Sequence, residues 1–108
     1  MEPIVLEFMQ GNFHYRHLER YGNLAIYEQT HKHGSMVRYE VIRIRRQATH
    51  TWPDGTTTPE KEAYPGSGSW GKDGFTTYTL ADARENLAQW LVRLAAGGAD
   101  APEEVPSV

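Results

Sequence analysis

At 108 residues, with 39% apolar side chains and three Trp, six Tyr and three Phe, the chain has the size of one domain whose core rests on large rings. It has no cysteine, which excludes a disulfide framework, a thiolate nucleophile and a cysteine-ligated zinc. The net charge of −3 is uneven: three of the fourteen acidic residues lie in Gly98–Val108, and the remainder balances eleven Lys and Arg.

No apolar run approaches the roughly 20 residues that a membrane-spanning helix needs. Glu2 and Glu7 stand where a signal peptide would carry Lys or Arg, so a soluble, cytoplasmic protein without membrane contact is expected. Along the chain, IVLEFM (Ile4–Met9) is the first candidate strand. NFHYRHLER and NLAIYEQTH then flank Tyr21-Gly22-Asn23, where Gly and Asn tolerate positive φ and predict a hairpin. After a turn at His31–Ser35 comes MVRYEVIRIRRQ, the clearest strand. Its apolar positions change phase between Val41 and Ile42. A β-bulge there would keep Val37, Tyr39, Val41, Ile42 and Ile44 on the core face and send Arg38, Glu40, Arg43 and Arg45 to the other. A strand buried on both faces is the competing reading, at the cost of burying Arg.

Trp52-Pro53-Asp54-Gly55 predicts a turn, and Pro59 confines the returning TTTPEKEAYP to an edge strand or an irregular arm. A loop over Gly66–Gly74 leads to a short strand, FTTYT. The chain then enters LADARENLAQWLVRLAA, where Leu80, Ala83, Leu87, Trp90, Leu91 and Leu94 form one helical stripe. Thr79 and Asp82 cap its start, and Gly97 lets the chain turn left-handed at its end. Residues 1–96 are thus expected to form a single α+β domain: an antiparallel meander of four or five strands with one C-terminal helix across a face. Residues 97–108, rich in Gly, Pro and acid, are expected to be a disordered tail.

Four patterns suggest chemistry. In YPGSGSWGKDGF, Gly66, Gly68 and Gly71 match G-x-G-x-x-G, and Gly66, Gly71 and Lys72 match G-x-x-x-x-G-K. However, Asp73 replaces the hydroxyl that a phosphate loop places beside magnesium, and a strand follows where a helix should begin. No nucleotide or other cofactor is expected. His14 would fall near His31 across the first hairpin, with His33 beside it, but no carboxylate or cysteine completes a familiar metal spacing. Glu60 and Glu62 share a strand face in a polar arm, which reads as solvation, so no catalytic constellation is expected.

The fourth pattern is the basic segment. Between His31 and His50, Lys32, Arg38, Arg43, Arg45 and Arg46 face only Glu40. Together with Tyr15, Tyr27 and Tyr39 they suggest a sheet whose cations follow phosphates while rings stack on bases, as single-stranded nucleic acid requires. The alternatives are pairing with Glu19, Glu28 or Glu62, or a protein-binding face, since Arg, Tyr and Trp dominate interface hot spots. A homodimer through an edge strand or the helix would also gain buried area.

YEVIRIRR, then TTTPEKEAYPGSGSWGKDGFTTYT, then a terminal helix resembles a family of small proteins common in phage and bacterial genomes. Its core runs Y-E-V-I-x-I, P-x-x-E-x-Y-P, W-G-x-x-G-F/W-T-Y, and the resemblance spans residues 36–95. It carries no assigned activity but implies a phage-derived accessory protein, such as a modulator of a host factor. The strands-then-helix order is more distantly similar to the whirly and positive-cofactor single-stranded-DNA-binding families. The resemblance also makes Tyr64-Pro65 and Trp70 anchors that pin the long loop, with Tyr64 and Trp70 as further contact candidates.

Overall fold

A computed structural model describes residues 1–34 and 36–97. Beyond Gly97, the expected disordered tail lies outside the described residues. Five antiparallel strands form the main sheet: β1 (Glu7–Gln10), β2 (Phe13–Tyr21), β3 (Leu24–His31), β4 (Val37–Arg43) and β9 (Gly74–Thr77), in the order β1-β2-β3-β4-β9. One helix, α1 (Leu80–Ala95), packs across a face, giving the expected α+β architecture.

The meander is set by two copies of one dipeptide. Gly11-Asn12 and Gly22-Asn23 each join two strands, with φ at 60° and 61° on the glycines and negative φ on the asparagines. Positive φ at the first central residue alone is the pattern of a tight II′ hairpin, which matches the twist of the flanking strands. The first of these turns was not foreseen, and the N-terminal strand accordingly begins at Glu7, with Ile4–Leu6 outside it. The Thr79 hydroxyl accepts from the Asp82 amide at 3.1 Å, and Gly97 closes the helix at φ 91°. Ala83, Leu87 and Trp90 are buried, whereas Leu91 sits at the stripe's margin and is exposed.

The expected bulge at Val41-Ile42 is absent. Pairing of β3 with β4 runs unbroken from Leu24↔Arg43 to Thr30↔Val37, and the sheet's irregularity lies in β2, between His17 and Glu19. With the alternation intact, β4 is buried on both faces. Val41 joins Leu24, Ile26, Phe75, Leu87 and Trp90 beneath the helix. Ile42 and Ile44 join Ile4, Ala25, Tyr15 and Tyr27 on the opposite face, where Phe8, Tyr64 and Trp70 cover them. The N-terminal residues and the 64–70 segment form this second cover. The Tyr27 hydroxyl, fully buried, donates to the Val5 carbonyl at 2.6 Å.

Between β4 and this cover the chain makes an excursion. β5 (Arg45–Gln47) pairs β8 (Lys61–Ala63), and β6 (His50–Thr51) pairs β7 (Thr57–Thr58). The register is common to both ribbons: Gln47↔Lys61 and His50↔Thr58 lie on one ladder, interrupted opposite Pro59, which has no amide hydrogen to give. The excursion is therefore a single arm, as the proline implied. Its base is strapped by Glu2, whose amide donates to Glu60 and whose carbonyl accepts from Glu62.

Candidate functional site

The five basic side chains singled out in the sequence do not form one stripe. Arg43 follows Arg38 by five positions, an odd offset, so the unbroken alternation of β4 turns them to opposite faces, about 17 Å apart along the strand. Arg43 lies on the helix side, its guanidinium 5.8 Å from the Trp90 ring centroid. Arg38 lies 5.9 Å from the Tyr78 ring and donates to the Met36 sulfur at 3.8 Å. Tyr15 and Tyr27 are buried beneath the 64–70 cover, and Tyr39 is half-buried on the helix side. The expected basic, tyrosine-bearing face is thus not assembled, because both sheet faces serve the core. Lys32 is exposed and extends the β2–β3 ladder, its amide donating to the Asn12 carbonyl at 2.7 Å.

What the structure brings together instead is Arg43, Arg45 and Asp73. The Arg43 Nε and Nη2 donate to Asp73 Oδ1 at 2.9 and 2.5 Å, and Arg45 Nη1 donates to Oδ2 at 2.8 Å. The Asp73 side chain is only 1% exposed. Burial would raise its carboxyl, but Arg43 and Arg45 outweigh burial and hold it below the usual range. Backbone bonds lock the same junction: Arg43 N–H donates to the Asp73 carbonyl at 2.7 Å, and Asp73 N–H to the Ser69 carbonyl at 2.8 Å. The residue that disqualified a phosphate loop is thus the loop's attachment point.

Four further arginines also meet carboxylates. Arg46 pairs Glu60 at 2.6 Å, Arg20 pairs Glu62 at 2.6 Å, Arg16 pairs Glu28 at 3.2 Å, and Arg84 binds Glu19. Glu62, gripped by Arg20 and by the Ile4 amide, is held down to about 2. The expected partners Glu19, Glu28 and Glu62 are therefore engaged, though by arginines outside the basic segment.

The histidines disperse as well. His14 faces Thr30 and His31 faces Phe13, one position from the expected pairing. His14 Nε2 meets Glu7 at 2.6 Å, and His17 packs edge-on against Tyr27, where burial and Arg20 lower its pKa. Among the described residues no group of three or more His, Cys, Asp and Glu is placed to hold a metal ion.

The glycine-rich loop is pinned by its rings. Pro65 is buried, and the Tyr64 hydroxyl donates to Glu40. Trp70 Nε1 donates to Thr76 Oγ1 at 3.1 Å, and Phe75 lies in the core under the helix. A Cβ on Gly74 would stand 2.8 Å from the Trp70 ring, so only glycine lets the indole lie against β9. Gly74→Ala is expected to cost about 2 kcal/mol, the scale of an overpacked site, read as a lower urea midpoint with an altered Trp emission.

The arm's end is the other exposed feature. Residues 45–57 are exposed throughout. At the tip, Trp52 N–H donates to the Thr56 carbonyl at 2.8 Å, and Gly55 takes φ 90° to close a three-residue loop. Trp52 is held upright by His50, 4.4 Å away edge-to-face, and by its own Nε1–H bond to Thr58 Oγ1 at 2.8 Å. Half of it nevertheless remains exposed (50%).

No family model, curated protein or solved structure matches this chain.

Proposed function

We propose that the protein is a binding module for another protein, and that the 45–63 arm, with Trp52 at its tip, is the contact element. The observation that carries this reading is a half-exposed tryptophan held in one orientation at the end of a ribbon that packs chiefly on itself. An isolated two-stranded ribbon is marginally stable in water, and exposed Trp side chains head the list of interface hot spots. Single-stranded nucleic acid, the other partner considered, draws less support. Arg43, Arg45 and Arg46 sit on carboxylates, and Tyr15 and Tyr27 are buried away from any base.

The test is co-purification of partners on the full chain, with and without nuclease, beside a Trp52→Ala variant. A nuclease-resistant protein partner that Trp52→Ala weakens about thirtyfold is expected, since a central Trp is typically worth 2 kcal/mol or more. The core should melt unchanged, because the bonds and ring contacts of Trp52 among the described residues are with His50, Gly55, Thr56 and Thr58 of its own hairpin. Salt-sensitive oligonucleotide binding that survives Trp52→Ala, with no nuclease-resistant partner, would replace this reading with the nucleic-acid one.

A further inference from the structure

The cover over the second sheet face leaves an open cavity of about 320 Å³. Its lining includes Tyr15, Glu40, Tyr64, Pro65 and Trp70. The Tyr15 and Tyr64 rings meet edge-to-face, with centroids 5.8 Å apart and planes at 65°, so they form two walls of a corner. Phe8 stacks on Tyr15 from behind at 4.7 Å, and the Gln29 amide donates to the Tyr15 hydroxyl at 2.8 Å, which fixes that wall.

Glu40 is the unusual member. It is 6% exposed, yet among the described residues no cation lies within ion-pairing distance of it. Among the described residues its hydrogen-bond donors are two hydroxyls, Tyr64 on Oε1 and Thr76 on Oε2 at 3.5 Å. The contrast within this molecule is direct, because buried Asp73 has two arginines and Glu62 has one. Burial raises the Glu40 carboxyl, and the Tyr64 and Thr76 hydroxyls and the more distant Arg38 only partly offset it. A carboxylate removed from water without a counter-charge is costly.

We propose that this cavity binds a small organic cation of the alkylated-ammonium class, with Glu40 as counter-charge and the Tyr15, Tyr64 and Trp70 rings as its walls. The chemistry narrows the class in two steps. A neutral apolar ligand would bury Glu40 further without compensating its charge. A metal ion or a primary ammonium would exchange a full shell of water oxygens for walls that are mostly aromatic carbon beside one carboxylate. An alkylated ammonium needs no directed hydrogen bonds and is attracted both by the carboxylate and by aromatic faces. The volume is at the small end of ligand pockets, which suits a trimethylammonium group. This inference is independent of the arm and of the protein partner proposed above.

The experiment is calorimetric titration of the full chain with choline, beside 3,3-dimethylbutan-1-ol, its uncharged isostere. Saturable one-to-one binding of choline is expected, with the isostere at least tenfold weaker. Glu40→Gln should weaken choline by a similar factor while the variant stays folded, because it removes a buried charge and keeps the shape. A trimethyl-lysine peptide titrated in parallel identifies the source: tighter binding than choline points to a modified protein tail, weaker binding to a free metabolite. Absence of choline binding at millimolar concentrations, equal affinity for the isostere, or an unchanged Glu40→Gln variant would overturn the proposal.

Discussion

Asp73→Ala is expected to destabilise the fold by about 4 kcal/mol, the cost of removing one partner from a buried ion pair. The size follows from the asymmetry of the site. Asp73 is the buried member, and its loss leaves the guanidinium of Arg43, itself only 21% exposed, without its carboxylate beside the Trp90 ring. The loop would also lose the carboxylate half of its attachment to β4, leaving only the main-chain bond from the Arg43 amide to the carbonyl of residue 73. Asp73→Asn keeps the shape and an acceptor, and should recover part of the loss. Urea unfolding at neutral pH measures both. A cost below 1 kcal/mol for the alanine variant would show that the two arginines find water instead.

The same pair sets a pH dependence. Asp73 and Glu62 both titrate lower in the folded protein than in the unfolded chain, Glu62 near 2 against an ordinary 4.5. The stability they contribute is therefore complete above the unfolded values and is lost as pH falls through the folded ones. Glu40 has the opposite sign: its raised carboxyl favours the fold at low pH and withdraws that support as pH rises through its folded value. Acid titration of wild type should thus show stability falling below about pH 4.5, with a shallower fall in Asp73→Ala.

Trp90→Ala is the second large effect, also about 4 kcal/mol, as truncating a fully buried tryptophan leaves a cavity its neighbours cannot fill. Trp90 has no exposed surface and is the largest fully buried side chain. It joins the helix to Phe75 of β9, 6.0 Å away, and to Arg43 of β4. Because Arg43 touches both Trp90 and Asp73, the double variant should depart from additivity, by about 0.5 kcal/mol or more. An additive cycle would mean that helix docking and loop attachment are independent. Chemical denaturation of the single and double variants decides it.

The helix was legible because its stripe, cap and terminal glycine all lie within one short stretch and depend on nothing distant. The Gly22 hairpin was legible for the same reason, and Gly11 carried the same signal unread. The phase change at Val41-Ile42 was visible too, but its meaning was not local. A bulge and a doubly buried strand give the same string of residues, and only what covers the second face distinguishes them. Here the cover is Phe8, Tyr64 and Trp70, brought from far along the chain in both directions. That cover removed Tyr15 and Tyr27 from the open sheet surface and, with them, the expected stripe.

The partners of charged residues were equally out of reach. Asp73 could be read as unfit for a phosphate loop, which is a local statement about a missing hydroxyl and a missing helix. That it would receive Arg43 and Arg45, while Glu40 would be buried with hydroxyls alone, depends on which strands become neighbours. By itself, the amino-acid sequence determined the α+β class, the capped helix, the tight turns and the exclusions that follow from having no cysteine, because these rest on residue type and short-range periodicity. The tertiary structure alone decided which face each strand buries, which carboxylate meets a cation, and where a cavity remains. Those outcomes depend on long-range contacts, and a strand's pattern records that a face is buried without recording against what.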